Sequence, residues 1–128
     1  MASILVVDDD LDVLKVFKRD LMKEGHQVVC ASNAMDALQA STDHTPDLVL
    51  LDIGLPGIDG IELCRRLRSN PATASTPILF VTVHSDIESK IAAFDAGADD
   101  YLAKPFDLHE LNLRVKVLLS RDRSHATR

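Results

Sequence analysis

SILVVDDD, residues 3–10, drives an unbroken apolar run into three consecutive acids, Asp8, Asp9 and Asp10. A strand without polar alternation is covered on both faces, as inside a parallel sheet. Neighbouring carboxylates repel, and apolar surroundings that exclude water strengthen the repulsion. Acids in that place need solvent, a helix to cap, or a cation.

Four more runs share the pattern: HQVVCA (26–31), DLVLLD (47–52), PILFVT (77–82) and DYLAK (100–104). The segments between them have helical spacing. Leu11, Leu14, Phe17 and Leu21 follow Asp10, which is read as a helix cap rather than a metal ligand. Ala34, Ala37 and Leu38 follow Asn33, and Ile61, Cys64 and Leu67 follow Asp59 and Gly60. Ile87, Ile91 and Phe94 follow Ser85 and Asp86, and Leu108, Leu111, Val115 and Leu118 follow Asp107. Phe94 and Phe106 are expected in the core. KEGH, HTPD and AGAD supply turn chemistry where helices should stop.

Strand and helix thus alternate five times. That order implies right-handed crossovers and a flavodoxin-like, doubly wound α/β fold. The expectation is a five-stranded parallel sheet in the order 2-1-3-4-5, flanked by five helices, with its ligand site at the carboxyl ends of strands 1 and 3. One domain is expected over residues 1–122, with residues 123–128 a polar tail or truncated linker.

Composition bounds the function. At 46% apolar and 27% charged residues, the chain is globular rather than disordered or fibrous. It has no apolar run near bilayer length and no basic leader, so a cytoplasmic protein that does not engage membranes is expected. Cys30 and Cys64 lack CxxC spacing and read as reduced core residues. A net charge of −6 argues against this chain gripping nucleic acid by itself.

In this topology Asp8 and Asp9 close strand 1, Asp52 closes strand 3, Thr82 closes strand 4 and Lys104 follows strand 5. All converge on one rim. Three carboxylates there need a positive charge between them, and magnesium suits an oxygen-rich set, with manganese as the substitute. A hydroxyl and a mobile ammonium beside them make a phosphoryl site. No glycine-rich phosphate loop opens the first helix, which excludes a flavin or dinucleotide domain of the same topology.

With these residues in place, the sequence from about Ser3 to Arg121 resembles the receiver domain of two-component response regulators. The resemblance is carried by ILVVDDD (4–10), DLVLLDIGLPGIDG (47–60), TPILFVT (76–82) and GADDYLAKPF (97–106), with 43 residues from Asp9 to Asp52, 30 more to Thr82 and 22 more to Lys104. It implies that Asp52 is the phosphoacceptor, attacking a phosphohistidine of a sensor histidine kinase or phosphotransfer protein. It implies that Asp8, Asp9, Asp52 and the Gly54 carbonyl hold magnesium, Asp9 directly and Asp8 partly through water. Thr82 and Lys104 would contact the phosphoryl oxygens. Pro105, after a cis peptide, would aim Lys104, and Tyr101 would be an aromatic switch that turns inward once Asp52 is phosphorylated. Gly54 and His84 would tune attack of water on the acyl phosphate, and bulky Val83 would narrow access.

The implied function is a signalling switch that remodels the surface of the fourth helix, fifth strand and fifth helix to control an output or partner. It is not an enzyme beyond its own phosphorylation and dephosphorylation. Charges of alternating sign at Lys90, Asp95, Asp99, Asp100, Glu110, Arg114, Lys116 and Arg121 suit a solvated surface, and the pattern GADDYLAKPF…EL…RV…LL is similar to receivers that form homodimers through that surface. One alternative is an Asp-nucleophile phosphohydrolase of the haloacid-dehalogenase type, which wants a second acid where this chain has Gly54. Another is an unphosphorylated docking module, although nothing in the catalytic set is missing.

Overall fold

The computed structural model describes residues 2–121. Its elements run β1 (Ser3–Val7), α1 (Leu11–Lys23), β2 (Gln27–Ala31), α2 (Ala34–Asp43), β3 (Leu48–Leu51), α3 (Gly60–Ser69), β4 (Ile78–Thr82), α4 (Ile87–Ala96), β5 (Asp100–Ala103) and α5 (Leu108–Ser120). The five strands pair in parallel in the order β2-β1-β3-β4-β5, as the alternation predicts. The tail expected at 123–128, and residue 122 that closes the expected domain, lie outside the described residues.

Burial on both faces explains the unbroken apolar strands. Ile4, Val6, Leu48, Leu50, Leu79 and Val81 face one way, into the layer shared with Phe17, Leu21, Leu111 and Val115 of α1 and α5. Leu5, Val7, Val49, Leu51, Ile78 and Phe80 face the other way, toward α2, α3 and α4. Side chains that alternate in direction along β1, β3 and β4 therefore find apolar partners on both faces, whereas edge strand β2 leaves Gln27 and Val29 exposed.

Each helix begins on a polar cap, Asp10 as expected. Asp10, Asn33, Asp59, Asp86 and Asp107 all accept hydrogen bonds from first-turn amides. These bonds satisfy donors that the helix itself leaves open. Asp10 is thereby a cap, with its carboxylate on the amides of Asp12 and Val13 at 2.9 and 3.3 Å.

Three expectations are corrected. Leu11 is 63% exposed rather than part of the buried stripe of α1. Ile87, Ile91 and Phe94 are 69, 54 and 48% exposed, so Phe94 is not core, and α4 buries only Ala93 and Ala96. Spacing shows which residues share a face but not which way that face points, and in α4 the small residues face inward. Leu108 is also exposed, whereas Phe106 is partly buried and stacks on Phe17 at 5.3 Å. Both cysteines are free thiols, Cys64 buried and Cys30 partly so. Among the described residues, no helix is long and apolar enough to cross a membrane.

Candidate functional site at the carboxyl edge of the sheet

The register of β1 with β2 and β3 fixes the acids. The Asp8 amide donates to the carbonyl of Ala31 at 3.1 Å, and the Asp52 amide donates to that of Val7 at 3.0 Å. Those bonds leave both carboxylates at the strand ends, where Asp8 is 2% and Asp52 8% exposed. Asp9 points to solvent, yet one carboxylate oxygen from each of Asp8, Asp9 and Asp52 lies within 4.8 Å of the others.

Lys104 enters from the end of β5. Its amide donates to the Thr82 carbonyl at 2.8 Å, and its ammonium donates to Asp8 Oδ2 at 2.6 Å and Asp52 Oδ2 at 3.1 Å. The Lys104–Pro105 bond is cis, as expected. Thr82 is fully buried, and its Oγ1 accepts from the His84 amide at 3.3 Å. Asp52 Oδ1 accepts from the Gly54 amide at 3.3 Å.

The electrostatics separate the two buried acids. Burial pushes Asp8 above the ordinary carboxylate range, and its bonds from Lys104 and the Asp10 amide do not offset it. Burial acts on Asp52 as well, but hydrogen bonding from Thr82, the charge of Lys104 and the Gly54 amide together hold its pKa below the ordinary value. Burial alone would lower Lys104; Asp8 and Asp52 reverse that and raise it. Asp52 is therefore the anion at neutral pH, a state that suits a nucleophile.

One positioning residue escaped the reading of the sequence. A Cβ on Gly60 would sit 2.0 Å from the Asp52 carbonyl oxygen and 2.9 Å from Ile53 Cα. Only glycine lets the start of α3 approach the backbone that carries Asp52. The available signal was a glycine directly after the capping Asp59, where side-chain-bearing residues serve a helix better.

The expected switch and tuning residues surround the cluster. Tyr101 is buried, its hydroxyl donates to the His84 carbonyl, and its ring packs on Phe80 and Phe94 with centroids 6.1 and 6.3 Å apart. The Lys90 ammonium lies 5.9 Å from that ring's centroid. His84 Nε2 lies 3.6 Å from where a Cβ on Gly54 would be, so the two tuning positions face each other. A groove of about 1010 Å³, lined by His26, Asp47, His109 and Lys116 among others, lies at the opposite edge and contains none of these residues.

Comparison with known proteins agrees with this geometry. The family model of the response regulator receiver domain matches residues 4–116. Response regulator ArlR of Staphylococcus aureus is 39% identical over 121 residues, covering 94% of this chain and 54% of that protein. The chain thus spans about half the length of the curated relatives it matches. A crystal structure of a candidate response regulator from Chloroflexus aurantiacus superposes with a TM-score of 0.89 at 46% identity, covering 94% of this chain and 98% of that one. The BeF3-activated N-terminal receiver domain of Klebsiella pneumoniae RstA superposes at 0.87 with 34% identity, covering 93% and 99%.

Proposed function

The chain belongs to the response regulator receiver family, the phospho-accepting modules of two-component signalling, and on that premise we propose that Asp52 is its phosphoacceptor. The observation that carries the assignment is an aspartate held anionic at a strand end between Thr82 and Lys104. An Asp52 oxygen attacks the phosphorus of a phosphohistidine on a sensor histidine kinase or phosphotransfer protein. The phosphorus–nitrogen bond breaks, and its electron pair returns to the imidazole. Lys104 passes hydrogen bonds from the carboxylates to the transferred oxygens, and the Thr82 hydroxyl donates to another. In-line placement and neutralised oxygens supply most of the rate in such transfers.

The acids fit a divalent ion. Three carboxylate oxygens lie within 4.8 Å of one another, and among the described residues Lys104 is the one cation bonded to them. Asp9, Asp8, Asp52 and the Gly54 carbonyl would hold magnesium or manganese, which when bound neutralises the acids and the incoming phosphoryl oxygens. Asp8, 2% exposed and ion-paired to Lys104, would take its place in that set partly through water.

Residues 1–122 act as the receiver domain, and 123–128 as a tail or linker. Phosphorylated Asp52 draws on Thr82 and so on the loop that Tyr101 holds by the His84 carbonyl. Tyr101, that loop and α4 are the parts that move. His84, over the open side of Gly54, tunes access of water to the acyl phosphate. The chain works in the cytoplasm as a switch, without turning over a separate substrate, and at a net charge of −6 it does not grip nucleic acid by itself.

The exposed Ile87, Ile91 and Phe94, beside the Arg114–Asp100 and Arg114–Glu110 pairs, suit a homodimer through α4, β5 and α5. Light scattering should show more dimer with beryllofluoride, and a strict monomer in both states refutes that partner. Incubation with acetyl phosphate and magnesium should add one phosphoryl group to the wild-type mass and none to Asp52→Asn. Wild type that gains nothing from either acetyl phosphate or a kinase overturns the assignment.

A further inference from the structure

α4 is held chiefly at its carboxyl end, while its amino-terminal half offers the Lys90 ammonium 5.9 Å from the Tyr101 ring centroid. Ile87 and Ile91 are exposed, and the only side chains it buries, Ala93 and Ala96, belong to its second half. Its carboxyl end closes on Gly97 at φ 116°, with the amides of Gly97 and Ala98 bonded to the carbonyls of Phe94 and Ala93, each at 3.0 Å. Arg68, at the end of α3, lies across that closure. Its Nε and Nη2 donate to the Gly97 carbonyl at 3.0 and 2.8 Å, and Nη2 also donates to Asp99 Oδ2 at 2.8 Å. Nη1 donates to the Thr76 carbonyl at 2.6 Å, with those of Thr73 and Ala74 at 3.3 Å. A Cβ on Gly97 would lie 2.8 Å from Arg68 Cγ, so the glycine makes room for the crossing side chain.

Asp99 extends the tie. Its Oδ2 also accepts from the Ile78 amide at 2.8 Å, and its Oδ1 from Arg121 at 3.3 Å. One guanidinium therefore binds the end of α3, the approach to β4 and the turn from α4 into β5. The other end of α4 follows the loop from Thr82 to Asp86, which carries the hydroxyl of the site and the carbonyl that holds Tyr101.

We infer that Arg68 makes the carboxyl end of α4 a fixed pivot, so that the switch swings the amino-terminal half of the helix and leaves its last turn in place. The driver of the swing rests on the assignment of Asp52 above; the pivot is a property of the resting molecule. Arg68 touches none of the reacting groups and acts as a positioning residue.

Amide hydrogen exchange followed by NMR on the whole chain tests it. In resting wild type, the amides of 90–92 should exchange about tenfold or more faster than those of 96–98. Arg68→Gln should cost 96–98 about tenfold in protection while the amides of β1 and β3 keep theirs, a local pattern that general destabilisation does not give. Arg68→Lys should fall between, and Asp99→Asn should produce a weaker loss at the same amides should Arg68→Gln fail to fold. With beryllofluoride and magnesium, wild type should change at 87–92, and Arg68→Gln along the whole helix. Equal exchange along α4 at rest, or protection of 96–98 unchanged within twofold in both Arg68→Gln and Asp99→Asn, overturns the pivot, as does a uniform beryllofluoride response in wild type. No beryllofluoride response, with the resting contrast intact, supports the pivot and refutes Asp52 as the driver.

Discussion

The two edges of the sheet use the same chemistry in opposite proportion. At the carboxyl edge, Asp8 and Asp52 share the single ammonium of Lys104, and Asp9 adds a third carboxylate beside them. At the amino edge, Asp99 sits between the guanidinium groups of Arg68 and Arg121, and every nitrogen of Arg68 is bonded. Surplus acid in a partly dry site is costly unless something positive joins it. A fully satisfied cluster has nothing left to bind. The comparison separates a place where the molecule waits for a charge from a place where it holds itself still.

The largest test removes the cation from the overloaded edge. Lys104→Met leaves two buried acids without their partner and should cost about 3 kcal/mol in urea unfolding without magnesium, at the low end of broken buried pairs because the Lys104 ammonium is itself partly exposed. An unchanged midpoint would mean the acids were never in conflict. A sharper test neutralises one acid at each edge. Asp9→Asn should stabilise the metal-free protein by about 0.5–1 kcal/mol and abolish the rise in melting temperature on adding magnesium, whereas Asp99→Asn should destabilise by about 1–2 kcal/mol. Effects of the same sign would erase the distinction.

The last effect is a slope. Cys64 is fully buried near the quiet edge, with its thiol 3.4 Å from the Ala96 carbonyl, and burial pushes its pKa from 9.0 to about 11. Between those values the unfolded chain releases the proton first, so this contribution to stability is intact below pH 9 and lost as the pH rises through about 11. Urea midpoints measured from pH 8 to pH 11 should fall less steeply for Cys64→Ala than for wild type. Parallel curves would show that the thiol ionises as easily folded as unfolded.

The carboxyl edge was legible in the sequence and the amino edge was not, for a physical reason. Unbroken apolar runs and capping acids are local signals, and the parallel topology then brings every strand end to one rim. Asp8, Asp52, Thr82 and Lys104 could therefore be placed together before any distance was known. Arg68 has no such signature. It is one of three arginines on α3, and Arg65 and Arg66 both pair with Glu62 at the surface. Only the left-handed turn at Gly97 and the folding back of β5 bring acceptors to Arg68 and not to its neighbours. The outward face of α4 was misread because its apolar spacing is real while, among the described residues, nothing covers it.

Lys104 sits beyond β5 and yet grips Asp8 on β1, passing over two intervening strands with a four-carbon stem. That reach makes it a lateral courier. Any newcomer that bids for its ammonium slackens a strap between strands that share no ladder, so news of the exchange crosses the molecule in one step, over the rim and without disturbing the packed interior beneath.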